Sequence, residues 1–460
     1  LAKYFYLLYE EDTFIWLKNK DDNWTYIHGS QGGVQGDVLM PIVFGFAAYS
    51  LCKRLKEHLA SSHNSVFGAF LDDFGISSKH EKTVEALLKC QQYGPELGLE
   101  INYEPNKTVV LLGKCDSPTE TKTRINAYLD LGLPKENIKV HPDNEGPTLD
   151  YGYVHLGIPQ GSDAYQEKHL QIIIDKFIES GKCDEQVEEI QAKWVYLLWI
   201  IRQKFPFWFR HMSPSITAKF KSVIENHVRS KFEDILGQKT TDAEFDQVCL
   251  PVKQHGMGLN KPEDVMASAY SANVSETGNN VKKKLTDMQI PLRLVVADED
   301  TFHMHEFENE QIKKFVRDAR QVRTVITKAA ESIGATEKLI EVDHSQTRQK
   351  QKAYSEIINQ ARIQEMSHVI EDHGNDIQKA TFLSNNGSFA GAFLHQIPKD
   401  RTSTLSNLEF RTACKLRLGM TFPGIQKTCC CKDNHIIEPS GTHLFSCNEF
   451  KHLAQLRHDA

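Results

Sequence analysis

The pattern of hydrophobic and polar positions changes near residue 165. Before it, short apolar runs such as VFGAFL at 66–71 stand between glycine-rich turns, and a helical pattern appears only locally, as in HEKTVEALLKCQQYG at 80–94. After it, apolar residues recur at helical spacing over long segments, among them YQEKHLQIIIDKFIESG at 165–181. Spacings of three and four residues favour amphipathic helices, and short apolar runs between turns favour strands. The pattern predicts a mixed region followed by mainly helical ones.

Composition divides the chain further. Residues 275–300 are polar with scattered glycine and asparagine, which is typical of a linker, and a cysteine-rich tail follows a second helical stretch. A chain of 460 residues is also too long for a single core. We therefore predict an α+β fold in four parts: a mixed region at 1–165, a helical region at 166–275, a linker with a helical connection at 276–425, and a cysteine- and histidine-rich tail at 426–460.

Two aspartates, Asp72 and Asp73, lie side by side between apolar runs in AFLDDFGI. Successive strand residues point to opposite faces, so adjacent carboxylates converge best where a chain turns between two strands. A divalent cation such as magnesium would turn their mutual repulsion into attraction. The pair predicts the tip of a hairpin, which is either a metal site or a solvated acidic turn.

Three neighbouring segments favour the metal site. GSQGGVQGDVLMP precedes the aspartates, GLEINYEPNKT follows them, and YVHLGIPQG comes next. In this order and with these gaps, the segments resemble the palm motifs of reverse transcriptases. Later stretches, among them FDQVCLPVKQHGMGLNKPEDVMASAYSANV at 245–274, resemble the post-palm region of non-LTR retrotransposon polyproteins. Val38 and Met40 depart from the palm pattern, which usually has proline and a small residue there.

The resemblance implies a partial polymerase palm, an antiparallel sheet with helices, before a helical thumb and connection. It implies RNA-directed DNA synthesis by two-metal nucleotidyl transfer, with an RNA template, a DNA primer or target and deoxynucleotides as partners. The implied catalytic residues are Asp72 and Asp73, which would bind Mg²⁺ or Mn²⁺, and Lys107, which would lie near the triphosphate. The implied substrate-binding residues are Gly32, Gln35 and Gly36, and Leu156 and Gly157 of a primer-gripping hairpin.

A two-metal site needs at least one more aspartate, which in the family lies upstream of Gln35. We therefore expect this sequence to be a fragment without that motif, so that catalysis is expected of the intact parent and left open for the fragment. Two alternatives stay open. One is a decayed or domesticated remnant that binds nucleic acid without polymerising, and the other is a helical scaffold with a chance Asp-Asp turn.

The tail contains a second set of candidate metal ligands. Cys429-x-Cys431 is followed after eleven residues by His443-x-x-x-Cys447, and Cys430 between the first two leaves open which pair of neighbouring thiols binds. Three thiolates and one imidazole suit a tetrahedral structural zinc ion, so we predict a zinc knuckle, with reduced thiols in a loop as the alternative. Six other cysteines are scattered singly, which suits a reducing compartment.

Charge is distributed unevenly along the chain. The net charge of −7 argues against a uniformly basic nucleic-acid binder, yet residues 202–231 contain seven cations and one acid, and residues 313–328 form a second basic group. Helical spacing could align such cations along a phosphate backbone; the alternative is a solvated helix face. The candidate nucleic-acid-binding residues are Lys219, Lys221, Arg229, Lys313, Arg317 and Arg320.

Targeting signals are lacking in the sequence. The longest apolar run, WVYLLWII at 194–201, is far too short to span a bilayer, and the opening residues do not form a signal peptide. We expect an intracellular protein of the cytoplasm and nucleus without a membrane partner. The sequence does not indicate an oligomeric state.

Overall fold

The computed structural model describes most of the chain. It covers residues 13–18, 23–29, 40–60, 65–70, 72–180, 186–287, 310–345, 349–387, 389–401 and 403–422, and then positions 428, 429, 431, 435–441, 443 and 447. The described residues form two compact units. Unit 1 comprises those up to Leu156, and unit 2 comprises those from Gly157 onward. The four-part division expected from composition stays a prediction.

Unit 1 alternates short strands with helices. Its elements are β1 (Thr13–Lys18), β2 (Trp24–Gly29), α1 (Met40–Ala60), β3 (Val66–Phe70), β4 (Asp73–Ser77), α2 (His80–Tyr93), β5 (Val110–Leu111), α3 (Pro118–Asp130), β6 (Ile138–Lys139) and β7 (Gly152–His155). The pairs β1–β2 and β3–β4 are antiparallel, whereas β5 and β6 are parallel.

The β3–β4 hairpin packs on α1 through one of its faces. Leu51, Leu55 and Leu59 recur every four residues along α1 and are buried there. Phe67 of β3 and Phe74 of β4 pack against this stripe, together with Ile76 and Ala86. Because alternate strand residues face opposite ways, the other face of the hairpin carries no part of this core.

A second small core forms around the β5–α3–β6 segment. Leu112, Tyr128, Leu133 and Ile138 are its buried members. Ser117 caps α3, because its Oγ accepts a hydrogen bond from the Glu120 N–H at 3.2 Å, and Pro118 occupies the first helical turn.

Unit 2 is almost entirely helical. Its elements are β8 (Ile158–Gly161), α4 (Asp163–Ser180), α5 (Ile190–Tyr196) with a π-helical continuation (Leu197–Ile201), α6 (Phe205–His211), α7 (Pro214–Thr217), α8 (Lys221–Leu236), α9 (Asp242–Cys249), α10 (Pro262–Asp287), α11 (Glu310–Ser332), α12 (Thr336–His344), α13 (Lys350–His373), α14 (Asp376–Ser384) and α15 (Asn407–Arg417).

The core of unit 2 joins residues that are far apart in sequence. Trp194 of α5 contacts Phe232 of α8 and Phe410 of α15, and the same buried cluster includes Tyr354 of α13. The Trp194 indole N–H donates to the Leu394 carbonyl at 2.9 Å. Segments before and after the expected linker therefore share one core.

The first half of the expected linker is helical. Helix α10 continues to Asp287, although composition placed the linker at 275–300. This helix packs against α6, α11 and α13, and its residues Ala267, Ala269 and Ala272 are almost completely buried. These buried residues all precede the expected linker, and the helix continues from them through Asp287.

The content of helices and strands agrees with the predicted fold class, whereas the arrangement of the strands in a polymerase palm is not seen in the part of the chain that the structure describes. The protein is mainly helical with small sheets, as predicted for the part beyond residue 165. Among the described residues the strands form four separate two-stranded sheets, the fourth from β7 and β8, rather than one larger antiparallel sheet. The polymerase palm therefore stays a prediction. None of the helices in the described ranges combines the length and apolar character that crossing a membrane requires.

Candidate functional site

Backbone hydrogen bonds connect the described residues of the tail, which lie between positions 428 and 447. Thr428 and Ile436 form an antiparallel bridge, and within it the Cys429 N–H donates to the His435 carbonyl at 2.7 Å. Further along, the Cys447 N–H donates to the His443 carbonyl at 2.8 Å, across four residues. A helical turn of this kind places residues four apart on one side, so it brings the His443 and Cys447 side chains together.

The four predicted zinc ligands of the tail converge on one point. We call them the Cys3His group: Cys429, Cys431, His443 and Cys447. Each offers one ligand atom, and these atoms all lie within 4.8 Å of one another. The Cys429 and Cys447 sulfurs are 3.6 Å apart, and the Cys431 sulfur lies 3.7 Å from the His443 Nε2.

These separations fit a tetrahedral zinc ion. With Zn–S bonds of about 2.3 Å, two tetrahedral ligand atoms lie roughly 3.8 Å apart. Cys429 and Cys447 are buried, whereas Cys431 and His443 are half-buried, so an ion would be enclosed on one side. The Cys3His group could therefore bind zinc, as the spacing of its residues predicted.

The two thiols nearest the start of the group differ in acidity. Hydrogen bonding with His435 lowers the pKa of Cys431 to about 6, and burial raises the pKa of Cys429 to about 11. Zinc binds thiolates, so binding must displace the proton that burial holds on Cys429.

We expect metal analysis of the purified chain to find about one zinc ion per chain, because the group offers one tetrahedral set. Removing the ion with a chelator should unfold the tail, since metal binding and local folding are linked. Inductively coupled plasma mass spectrometry and protease sensitivity of residues 426–460 measure the two effects. A zinc-free protein with a protease-resistant tail would contradict this prediction.

Only one of the two aspartates lies in the hairpin turn. Phe70 pairs with Asp73, so Asp73 is the first residue of β4, and Asp72 lies in the turn before it. Asp72 is thus at the tip, and Asp73 is in the strand beside it. The reason is the register, because Phe67, Phe74 and Ile76 must face the core.

The outer face of this hairpin is exposed, and its central cross-strand pair consists of glycines. Both aspartates are exposed, as is Phe70 opposite Asp73. Gly68 and Gly75 form the next cross-strand pair on this face, and a side chain at Gly68 would meet no atom within 4 Å. An extended ligand can therefore approach the backbone closely beside the carboxylates.

The described residues do not complete a metal site at the hairpin. Within them, the Cys3His group is the one cluster of three or more His, Cys, Asp or Glu side chains close enough to hold an ion. Asp72 and Asp73 thus lie without a third acidic or histidine ligand in this part of the chain. Magnesium or manganese at the hairpin stays a prediction.

The structure places Lys107 in a turn next to a different sheet from that of the aspartates. It lies exposed in a turn three residues before β5, and β5 pairs with β6. Asn137 holds this turn, because its amide oxygen accepts from the Asn106 N–H and its amide nitrogen donates to the Glu104 carbonyl. The proposed role of Lys107 near a triphosphate is untested.

Leu156 and Gly157 form the two-residue turn between β7 and β8. Their φ angles are 48° and 80°, and a type I′ turn requires positive φ at both positions. A left-handed leucine is unusual, and such strain is often found at functional sites. The predicted hairpin is present, while primer binding by it is untested. The other predicted substrate-binding residues, Gly32, Gln35 and Gly36, lie outside the described residues.

Acidic residues, most of them from other helices, pair with the first basic group. Lys219 is bonded to Glu167 of α4, and Lys221 lies 3.1 Å from Glu263 of α10. Arg229 contacts Glu233 at 3.2 Å and Asp242 at 2.6 Å. The local excess of positive charge counted along the sequence is therefore largely balanced in space. Exposed ion pairs are weak, so a phosphate could still compete for Lys219 and Lys221.

The second basic group forms an exposed stripe on α11. Val316, Val322 and Ile326 are buried on one side of this amphipathic helix. The opposite side exposes Arg317, Arg320, Gln321, Thr324 and Lys328, whereas Lys313 is half-buried at its start. We call Arg317, Arg320 and Lys328 the α11 stripe. These cations therefore lie on one face of the helix, as their spacing predicted.

A cavity of about 180 Å³ lies between α9, the start of α10 and α13. Its charged side chains pair with one another: Lys261 with Asp246 at 2.6 Å, and Arg362 with Asp264 at 3.0 Å and Glu365 at 3.1 Å. Two cations thus balance three carboxylates within the lining. The cavity offers no excess of positive charge for an anionic ligand, and we assign it no function.

Comparison with known proteins gives one informative match. The 132 kDa protein of the retrotransposable element SLACS from Trypanosoma brucei gambiense is 20% identical to this chain over 245 residues. The match covers 52% of this chain and 18% of that protein's length. No family model matches the sequence, and no solved structure matches the fold. The chain is thus distantly similar to a retrotransposable-element protein.

Proposed function

We propose that this chain is part of the RNA-directed DNA polymerase of a non-LTR retroelement. The observation that carries the proposal is the β3–β4 hairpin, which exposes Asp72 at its tip and Asp73 beside it, next to the Gly68–Gly75 pair. The order of the sequence motifs around the hairpin and the similarity to a retrotransposable-element protein support it.

The hairpin would supply one side of a two-metal site. Two magnesium ions must be held near the attacking primer oxygen and the leaving pyrophosphate, and carboxylates are the ligands that these ions prefer. Asp72 and Asp73 can provide two carboxylates, and the glycine pair leaves room for a primer strand beside them. A further carboxylate must come from a strand that faces the hairpin. Separately, the basic helices of unit 2 would bind template RNA or primer DNA.

We expect no primer extension by the 460-residue chain with magnesium, an RNA template and a DNA primer, because the described residues provide only half of a metal clamp. A longer protein that adds upstream coding sequence with an in-frame aspartate motif should extend the primer. Asp72→Ala and Asp73→Ala should each abolish that extension, whereas Asp116→Ala, an exposed control in unit 1, should not.

Two results would contradict these expectations. Extension by the 460-residue chain that disappears in Asp72→Ala would show that the chain already contains a complete metal site. Failure of the longer protein to extend any primer would contradict the polymerase proposal itself. Incorporation of radiolabelled deoxynucleotides, resolved on a denaturing gel, measures both.

A nucleic-acid-binding remnant without polymerase activity is the second candidate. It is favoured by the exposed cations of the α11 stripe together with the incomplete carboxylate set at the hairpin. Stop codons directly upstream, combined with salt-dependent RNA binding by the chain, would favour the remnant. An open upstream frame with the aspartate motif would favour the enzyme.

A further inference from the structure

His435 stands beside the Cys3His group without being a member of it. Its Nδ1 lies 3.5 Å from the Cys431 sulfur. Its ring also lies against the His443 ring, with 5.0 Å between the centroids and 35° between the planes. The four ligand atoms that lie within 4.8 Å of one another do not include a nitrogen of His435. One imidazole thus contacts two of the four candidate ligands.

Backbone pairing fixes the position of His435. Its carbonyl accepts the Cys429 N–H at 2.7 Å, and the next residue, Ile436, forms the bridge with Thr428. The segment that carries Cys429 therefore also places the His435 ring against Cys431. This placement depends on main-chain hydrogen bonds and needs no metal bond from the ring.

We propose that His435 is a positioning residue for a zinc ion held by the Cys3His group, with its Nδ1–H donating to the Cys431 thiolate. The inference rests on the zinc centre described above. A zinc-bound thiolate has no proton to donate, so the donor in this contact must be the imidazole, which carries its proton on Nδ1. Such a hydrogen bond fixes the orientation of the sulfur and disperses part of its negative charge.

His435 contacts the two ligands of the group that are half-buried. Cys429 and Cys447 are buried by the surrounding chain, whereas Cys431 and His443 are not. These two are the ligands that His435 contacts. Residues that hydrogen-bond to metal ligands commonly raise metal affinity by about 10–100-fold. We expect a contribution of this size from His435.

The test compares metal binding by the full 460-residue chain and by His435→Ala and His435→Asn. Cobalt(II) serves as the probe because its visible spectrum reports the ligand set. We expect His435→Ala to bind one cobalt ion with an unchanged three-sulfur, one-nitrogen spectrum and about 10–100-fold lower affinity. His435→Asn, whose amide nitrogen can replace the ring Nδ1, should recover most of that loss. Zinc-loaded His435→Ala should also react faster with iodoacetamide at Cys431, because its thiolate lacks the hydrogen bond.

Each contrary outcome has a distinct signature. Equal affinity and equal alkylation rates in wild type and His435→Ala would overturn the proposal. A cobalt spectrum that loses nitrogen ligation in His435→Ala would make His435 a ligand and would also overturn it. A wild-type chain that binds no metal would instead remove the zinc centre itself. His373→Ala, at the exposed end of α13, controls for loss of a histidine, and circular dichroism confirms folding.

Discussion

Replacing Trp194 with alanine should lower the free energy of unfolding of unit 2 by about 3–5 kcal/mol, the usual cost of deleting a buried aromatic side chain. Trp194 is 0% exposed, and its ring centroid lies 5.9 Å from that of Phe232 and 6.5 Å from that of Phe410. Alanine leaves a cavity at this contact and removes the N–H that satisfies the Leu394 carbonyl.

Urea denaturation followed by far-UV circular dichroism measures this effect without relying on tryptophan fluorescence. Trp199→Ala is the matched control, because Trp199 is 44% exposed and its removal should change the free energy of unfolding by less than about 1 kcal/mol. Similar losses in the two variants would contradict the view that Trp194 ties α5 to α8 and α15. A loss confined to Trp194→Ala would support the contacts of Trp194 with Phe232, Phe410 and Leu394 as the source of the stability.

The sequence predicted the helices of unit 2 because their apolar positions repeat locally. In α4, the apolar spacing anticipated a buried face, which Leu170, Ile174 and Phe177 provide. The contact between the Trp194 indole and the Leu394 carbonyl joins residues 200 positions apart. Periodicity contains no information about such partners. Composition likewise did not indicate that α10 continues to Asp287.

Sequence reasoning succeeded best where a site depends on a short segment. The Cys3His group lies within nineteen positions, and ligand types at suitable spacing were enough to predict it. His435 was missed, although its place four residues after Cys431 was visible in the sequence. The aspartate hairpin was predicted, but adjacency of two carboxylates could not fix its register. The residues that face the core of unit 1 set that register and place Asp73 in β4 instead of in the turn.

The charge of residues 202–231 could not be judged from the sequence alone. This segment has a large excess of cations. The acids that pair with them come from other helices: Glu167 from α4, Glu263 from α10 and Asp242 from α9. Glu167 and Glu263 lie 52 and 42 residues from their lysine partners, and Asp242 lies 13 residues after Arg229. Ion pairing is a tertiary property, so a charge count over residues 202–231 omits all three acids. The α11 stripe, in contrast, is defined by helix periodicity and could be predicted.

The α11 stripe should therefore contribute more to nucleic-acid binding than the cations around α8. Arg317 and Lys328 are eleven residues apart, or about 16 Å along a helix, a length over which duplex DNA carries roughly ten phosphate charges. In the described part of the chain, no ion pair is seen for either residue, whereas Lys219 and Lys221 each have an acidic partner. A cation without such a partner can contact phosphate and release counterions without first breaking a bond.

Replacing Arg317 and Lys328 together with glutamine should flatten the dependence of log affinity on log salt by about 1.4–1.8 units, the loss of two phosphate contacts. Lys338→Gln/Lys352→Gln removes the same charge from exposed positions on α12 and α13 and should leave the slope nearly unchanged. Lys219→Gln/Lys221→Gln should fall between the two, because its ion pairs must open first. Arg229 is left intact, since it also bonds Glu233 and Asp242 and its loss would disturb the fold.

Fluorescence anisotropy with a labelled RNA–DNA hybrid across a salt series measures all four slopes. If the Arg317/Lys328 variant keeps the wild-type slope while the Lys219/Lys221 variant loses it, nucleic acid binds along α8 and the α11 stripe is only a solvated helix face.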